Sequence, residues 1–253
     1  MTNPVKEALA AGRTALGYLV MMPGVAMVQT LAASGADFVL IDTEHAPTGA
    51  ETMAAMIAAT NGTPAAPFVR VPGPRSDRVK PALDSGAFGI VFAQIETAEQ
   101  ARATVEVSRY APQGKRGYGP SYAALRWGVT PLEYAAAANA ELLNVVLIES
   151  LAGVRALDDI LAVEGLDVVV VARGDLCADL GVPGRFDDPR LLQLVAGAEA
   201  KIRARPGVAM GGAAFTTDEA RAMIAGGYRF LVLGTDIALV QRTAAAQLAA
   251  IRG

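Results

Sequence analysis

The chain has 253 residues, a formal charge of −3, 53% hydrophobic and 19% charged side chains. That balance describes a large buried core, and its interspersed acids and bases offer neither a nucleic-acid groove nor a membrane-binding face. A single cysteine (Cys177) and a single histidine (His45) exclude an internal disulfide, a thiolate metal cage and the usual zinc ligand sets.

The N-terminal stretch Met1-Thr2-Asn3-Pro4-Val5-Lys6-Glu7 has no apolar core of the signal-peptide kind. No run approaches the roughly 18 apolar residues that cross a bilayer. A soluble cytoplasmic enzyme is the expectation. Apolar runs of strand length then recur at 14–20, 38–43, 66–71, 89–95, 143–149, 166–172, 208–213 and 230–234. Alanine-rich amphipathic stretches separate most of them, among them Glu51 to Ala59, Ala98 to Ser108 and Leu191 to Arg203. Asp188 before Pro189 reads as a helix cap followed by proline at the first helical position. Thr216 and Glu219 have the spacing of a capping box. Eight alternating strand and helix units in this length predict a (β/α)8 TIM barrel occupying 1–253 as a single domain. A doubly wound sheet is the alternative, but its Gly-x-Gly-x-x-Gly fingerprint is absent. One long excursion, 109–141, interrupts the alternation and contains Trp127. It reads as a lid or subunit contact over the catalytic face, or merely as a long connection.

In such a barrel the C-terminal strand ends converge on one site. Asp42, Glu44 and His45 follow the second run, and histidine is the side chain that titrates near neutral pH without help. A carboxylate-oriented imidazole base and a chemically idle loop histidine both fit that stretch. Arg70 ends the third run, Gln94 and Glu96 the fourth, Glu149 the fifth, and Arg173 and Asp175 the sixth. Charges that finish buried apolar strands are costly unless paired or ligated. Glu149 and Asp175 suit a hard divalent cation completed by water, Mg²⁺ or Mn²⁺ with Co²⁺ a further candidate. The other reading of the pair is two salt bridges, with Arg70 and Arg173 as partners. Arg70 itself is a fork for a carboxylate or enolate oxygen, or half of an ion pair inside the barrel.

The four lysines, Lys6, Lys80, Lys115 and Lys201, all lie away from strand ends. A Schiff-base aldolase or a pyridoxal enzyme is therefore not expected. No Gly-x-Ser-x-Gly elbow or P-loop occurs. Gly211-Gly212 and Gly234-Thr235-Asp236 follow the last two strands, where many barrels bind phosphate, although glycine is also common there for turns.

Ile41-Asp42-Thr43-Glu44-His45-Ala46-Pro47, Val69-Arg70-Val71, Lys115-Arg116-Gly117, Ile148-Glu149-Ser150 and Asp175-Leu176-Cys177-Ala178-Asp179-Leu180-Gly181 occur in this order. Together they resemble the HpcH/HpaI aldolase family, metal-dependent class II pyruvate aldolases typified by 4-hydroxy-2-oxoheptane-1,7-dioate aldolase. The resemblance runs from near Ala8 to Asp236. It implies a barrel of the phosphoenolpyruvate/pyruvate type whose last helix is exchanged between subunits, usually in a homohexamer. By position it implies Glu149 and Asp175 as metal ligands, Arg70 on the keto oxygen, and His45, oriented by Asp42, in proton transfer. Asp84 matches a family acid that reaches a neighbouring subunit's histidine; on sequence alone it is a polar residue at a helix C-terminus. Gly174 keeps an amide for the substrate carboxylate. The expected activity is reversible cleavage of a 4-hydroxy-2-oxo acid to pyruvate and an aldehyde, in a setting such as aromatic-compound catabolism. A family member altered toward an acyl-CoA or another 2-oxo acid, or a lapsed barrel that only binds a small acid, are the alternatives.

The chain departs from the family pattern at named positions. Ala172-Arg173-Gly174-Asp175-Leu176 stands where Gly-Pro-Ala-Asp-Leu is usual. Arg173 thereby brings a second cation beside the metal site, which either weakens metal binding or recognises a second carboxylate of the substrate. Leu147 replaces a common glutamine and Ala93 a common proline, and Met21-Met22-Pro23 forms an apolar rim after the first strand.

Overall fold

Alternate residues of a strand face the same side, so eight short apolar runs can enclose one interior while their other faces receive helices. A computed structural model describing residues 1–253 shows this arrangement. The strands are β1 (Ala15–Val20), β2 (Phe38–Asp42), β3 (Ala66–Val71), β4 (Gly89–Phe92), β5 (Leu143–Ile148), β6 (Val168–Val171), β7 (Ala209–Ala213) and β8 (Phe230–Thr235). All neighbouring pairs are parallel, and β8 returns to β1, closing a (β/α)8 barrel. Strand ends differ from expectation mainly at β4. There Gln94 takes a left-handed backbone conformation (φ 59°) that ends the strand early.

The interior is built from large residues set against small ones. Phe38, Phe68 and Phe230 meet at its centre, with Phe38 and Phe230 stacked at 4.2 Å between ring centroids. Register pairs Phe38 with Gly17, Phe68 with Gly89 and Phe230 with Gly211. A Cβ at Gly17 would fall 2.5 Å from the Phe38 ring, and one at Gly89 would fall 2.1 Å from the Phe68 ring. Below the rings, buried Val5 brings the N-terminal helix Pro4–Ala10 against the same interior cluster. Asn3 pins that helix by donating to the carbonyls of Phe88 and Glu141. The barrel is thus filled from its N-terminal end and open only at the other.

The helix-start signals are present. Asp188 accepts from the Arg190 amide, and Thr216 accepts from the Glu219 amide at 3.1 Å. The Glu219 carboxylate, however, turns to the Phe215 amide rather than back to Thr216.

The excursion at 109–141 is not a lid over the strand C-termini. It follows helix Ala98–Ser108, so it is a helix-to-strand connection and emerges at the opposite, N-terminal end of the barrel. It forms helices Ser121–Arg126 and Pro131–Glu141. Trp127 donates to the Gly86 carbonyl and packs on Phe88 just before β4. Gly211 and Gly212 lie inside β7 and Gly234 inside β8, and the β7 pair has a packing explanation. A Cβ at Gly211 would meet Val170 at 2.6 Å and one at Gly212 would meet Met223 at 2.5 Å. The buried Asp236 carboxylate accepts from the Met21, Met22 and Ile237 amides, filling the turn where an anion could have sat.

Gly89→Ala should therefore cost about 1–3 kcal/mol through overpacking against Phe68. Urea unfolding measures it, and an unchanged midpoint would refute this description of the interior.

Candidate active site

The period of two that faces Phe38 and Leu40 inward does the same for Asp42, and Phe68 likewise predicts an inward Arg70. Register places Asp42 and Arg70 side by side. Arg70 donates to both oxygens of Asp42, from Nε at 2.9 Å and Nη2 at 2.8 Å. Asp42 is fully buried and also accepts the backbone amides of Glu44 and His45 at 3.0 and 3.2 Å. Asp42 thus orients the His45 loop through its backbone. The imidazole itself lies against Glu44, with Nε2 3.8 Å from Oε2, and is largely exposed at the mouth.

Glu44 is the site residue that the strand-end reading underrated. Its side chain is 6% exposed and lies 3.3 Å from Arg70 Nε, whose hydrogen already goes to Asp42. Oε2 is consequently buried without a hydrogen-bond partner. Burial pushes the Glu44 carboxyl above its ordinary range, opposed by Arg70. Its place between Asp42 and His45 was the available signal, but nothing in the sequence announces the burial.

Across the mouth, Glu149 accepts from the Gln94 amide at 2.6 Å, a bond made available by the unusual Gln94 backbone. Burial pushes the Glu149 carboxyl up to about 7; the Gln94 amide opposes this, while Asp175 and Glu44 add to it. Neither Glu149 nor Asp175 forms a salt bridge. The arginines proposed as their partners are engaged elsewhere, Arg70 with Asp42 and Glu44 and Arg173 with Glu219. Asp175 sits in the first turn of helix Arg173–Asp179, whose leading amides, including that of Gly174, have no intrahelical acceptor.

A cavity of about 570 Å³ opens at this end of the barrel. Arg70, Arg173, Gly174 and Asp175 line it, and Leu147 belongs to its apolar wall. Glu149 instead lines a smaller polar cavity of about 330 Å³, with Gln94, Glu96 and Asp179. Asp84 is not brought into this site. It pairs at 2.7 Å with Arg116, which is fully buried between Tyr110 and Tyr134, near the other end of the barrel.

Comparison with known proteins gives a consistent picture. The family model for HpcH/HpaI aldolase/citrate lyase matches residues 20–243. A hydroxypyruvate/pyruvate aldolase of Roseovarius nubinhibens is 35% identical over 248 residues, covering 98% of this chain and 96% of the relative. A 2-keto-3-deoxy-L-rhamnonate aldolase of Escherichia coli O157:H7 is 35% identical over 240 residues, covering 94% and 89%. The crystal structure of an HpcH/HpaI aldolase/citrate lyase family protein from Burkholderia cenocepacia matches with a TM-score of 0.91 at 30% identity, over 100% of both chains.

Removing one partner of a buried ion pair strands the other. Asp42→Ala should destabilise the protein by about 3 kcal/mol, because Glu44 only partly replaces the lost acceptors. A denaturant midpoint equal to the parent's would show that the pair does not hold the mouth together.

Proposed function

This chain belongs to the HpcH/HpaI aldolase/citrate lyase family, and on that premise we propose that it reversibly cleaves a 4-hydroxy-2-oxo acid into pyruvate, or a close 2-oxo acid, and an aldehyde, using a divalent metal. The observation that carries this reading is an imbalance. Asp42, Glu44, Glu149 and Asp175 share the mouth with Arg70, and Glu149 and Asp175 have no cationic partner.

The residues present fit a hard cation. Two carboxylates reaching the mouth from successive strand ends repel each other; burial, with a smaller contribution from Asp175 and Glu44, raises the Glu149 carboxyl, and Glu44 Oε2 is buried without a hydrogen-bond partner. Glu149 and Asp175 with waters suit Mg²⁺ or Mn²⁺, and Co²⁺ would also be accommodated. Bound there, such an ion supplies Lewis-acid polarisation of the 2-oxo acid.

The chain's own groups supply the rest. Arg70 spends Nε and Nη2 on Asp42, which fixes the plane of its guanidinium and leaves Nη1 to donate to the keto oxygen. As the C3–C4 bond breaks, negative charge grows on that oxygen, and a donor already in position stabilises it without reorganisation. The first-turn amides at Gly174 and Asp175 receive the substrate carboxylate. His45, beside Glu44 at the open mouth, takes the proton from the C4 hydroxyl and returns it in the synthetic direction.

Assembly completes the reading. The last helix, Asp236–Arg252, is exposed from Val240 onward, with Val240, Leu248 and Ile251 among its uncovered apolar residues. We assign that helix to exchange between subunits of a homohexamer, in which Asp84, held by Arg116, reaches a neighbour's histidine. No helix is long and apolar enough to cross a membrane, and we place the enzyme in the cytoplasm.

Protein stripped with EDTA and mixed with pyruvate and short aldehydes (glycolaldehyde, lactaldehyde or succinic semialdehyde) should consume pyruvate only after Mg²⁺ or Mn²⁺ is restored. His45→Ala should lower turnover by roughly 100-fold or more while retaining pyruvate binding. At pH 8 Glu149→Gln should melt no lower than the metal-free parent and lose its stabilisation by Mn²⁺. Equal activity with and without chelator would overturn the metal assignment.

A further inference from the structure

Glu149 and Asp175 stand on different segments, and their spacing depends on what joins those segments. Glu149 follows β5, and Asp175 lies in the first turn of the helix Arg173–Asp179 after β6. β5 and β6 are paired up to Ile148 and Val171, and one further rung runs from the Ala172 amide to the Ile148 carbonyl at 3.0 Å. Above that rung the ladder ends, and one more hydrogen bond joins the two segments. The Leu151 amide donates to Asp179 Oδ2 at 2.7 Å.

Both ends of this bond are placed to act on the carboxylate pair. Asp179 lies four residues after Asp175 on the same helix, so the two side chains share one face. Leu151 comes two residues after Glu149 and opens the helix Leu151–Arg155, where its amide has no intrahelical acceptor. Asp179 and Glu149 line the same polar cavity. Asp179 is exposed, and its carboxylate has the Leu151 amide as its one hydrogen-bond partner. The Glu149 side of the bond is braced in turn. A Cβ at Gly153 would fall 2.8 Å from the Ile95 carbonyl, so the helix Leu151–Arg155 sits tightly against the segment whose Gln94 amide holds Glu149.

We propose that Asp179 is a positioning residue: by accepting the Leu151 amide it fixes the separation of Glu149 and Asp175. This inference rests on the reading of those two carboxylates as the metal ligands. A cation of the Mg²⁺ kind demands near-octahedral oxygens at about 2.0–2.1 Å. Ligands tethered before it arrives need less ordering when it binds. Without the ion the two carboxylates repel each other, and the tether opposes the outward drift of the helix that carries Asp175. The task calls for an acceptor rather than a charge, which separates it from the role of an acid that would bind the metal itself.

Titration of EDTA-stripped protein with Mn²⁺, the free ion being read from its electron paramagnetic resonance signal, tests the assignment. Asp179→Ala should raise the Mn²⁺ dissociation constant roughly tenfold or more, the usual effect of losing a group that orients a metal ligand. Asp179→Asn keeps an oxygen for the amide and should bind Mn²⁺ nearly as the parent does. Leu151→Pro removes the donor instead. Proline is accepted at a first helical position, and the extended Ser150 backbone (φ −132°, ψ 160°) suits the residue before it. Leu151→Pro should match Asp179→Ala, and the two changes together should bind no more weakly than either alone. A merely structural bond would lower the metal-free melting midpoint and leave the dissociation constant alone. An unchanged constant in Asp179→Ala or, should that variant not fold, in Leu151→Pro would overturn the positioning role. A loss in Asp179→Asn equal to that in Asp179→Ala would overturn it too, and either result leaves the metal site standing. Failure of the parent to bind Mn²⁺ would overturn both.

Discussion

Negative charge at the barrel mouth exceeds what the neighbouring arginine can balance, and the rest of the site follows from that excess. Arg70 is committed through two of its nitrogens to the fully buried Asp42, so its contribution to the remaining carboxylates is already weakened. Glu44 stays close to Arg70 but without a usable hydrogen. Glu149 is left with a backbone amide, and burial beside other acids holds it largely protonated below about pH 7. That excess is what the proposed divalent cation at Glu149 and Asp175 would offset. The same commitment of Arg70 is what makes it useful, because a guanidinium pinned on one edge presents the other in a fixed direction.

The barrel makes this concentration of charge affordable by separating it from the apolar interior. Phe38, Phe68 and Phe230 form a packed floor, and glycines at 17 and 89 make the space that the Phe38 and Phe68 rings occupy. Inward residues above the floor become polar at the last position of β2 and the fifth of β3, and beyond the end of β5. The N-terminal helix closes the opposite end. Stability and chemistry thus sit at opposite ends of the same strands, the division expected of a (β/α)8 barrel.

Much of this was readable in the chain. The strand runs, the helix caps at Asp188 and Thr216, and the inward direction of Asp42 and Arg70 all follow from local periodicity, which short-range sterics impose. The Asp-Thr-Glu-His loop was recognisable because polar residues directly after a buried strand need a reason. What could not be read depended on contacts between distant segments. Glu44 and Glu149 differ little from other acids in sequence, and only closure of the barrel shows that one lacks a donor and the other relies on the Gln94 amide. The side chosen by the excursion at 109–141 was legible in principle, since a segment after a helix must leave from the N-terminal end. The partner of Arg173 was not, because Glu219 lies 46 residues away on another helix.

The central claim is that this mouth generates and holds a pyruvate enolate, and deuterium exchange tests it without a choice of aldehyde. EDTA-stripped protein would be incubated with pyruvate in D₂O, with and without Mg²⁺ or Mn²⁺, and the methyl proton signal followed by NMR. The account predicts exchange above the protein-free rate only when the metal is present. Folded protein that leaves the methyl signal untouched with either metal would contradict it.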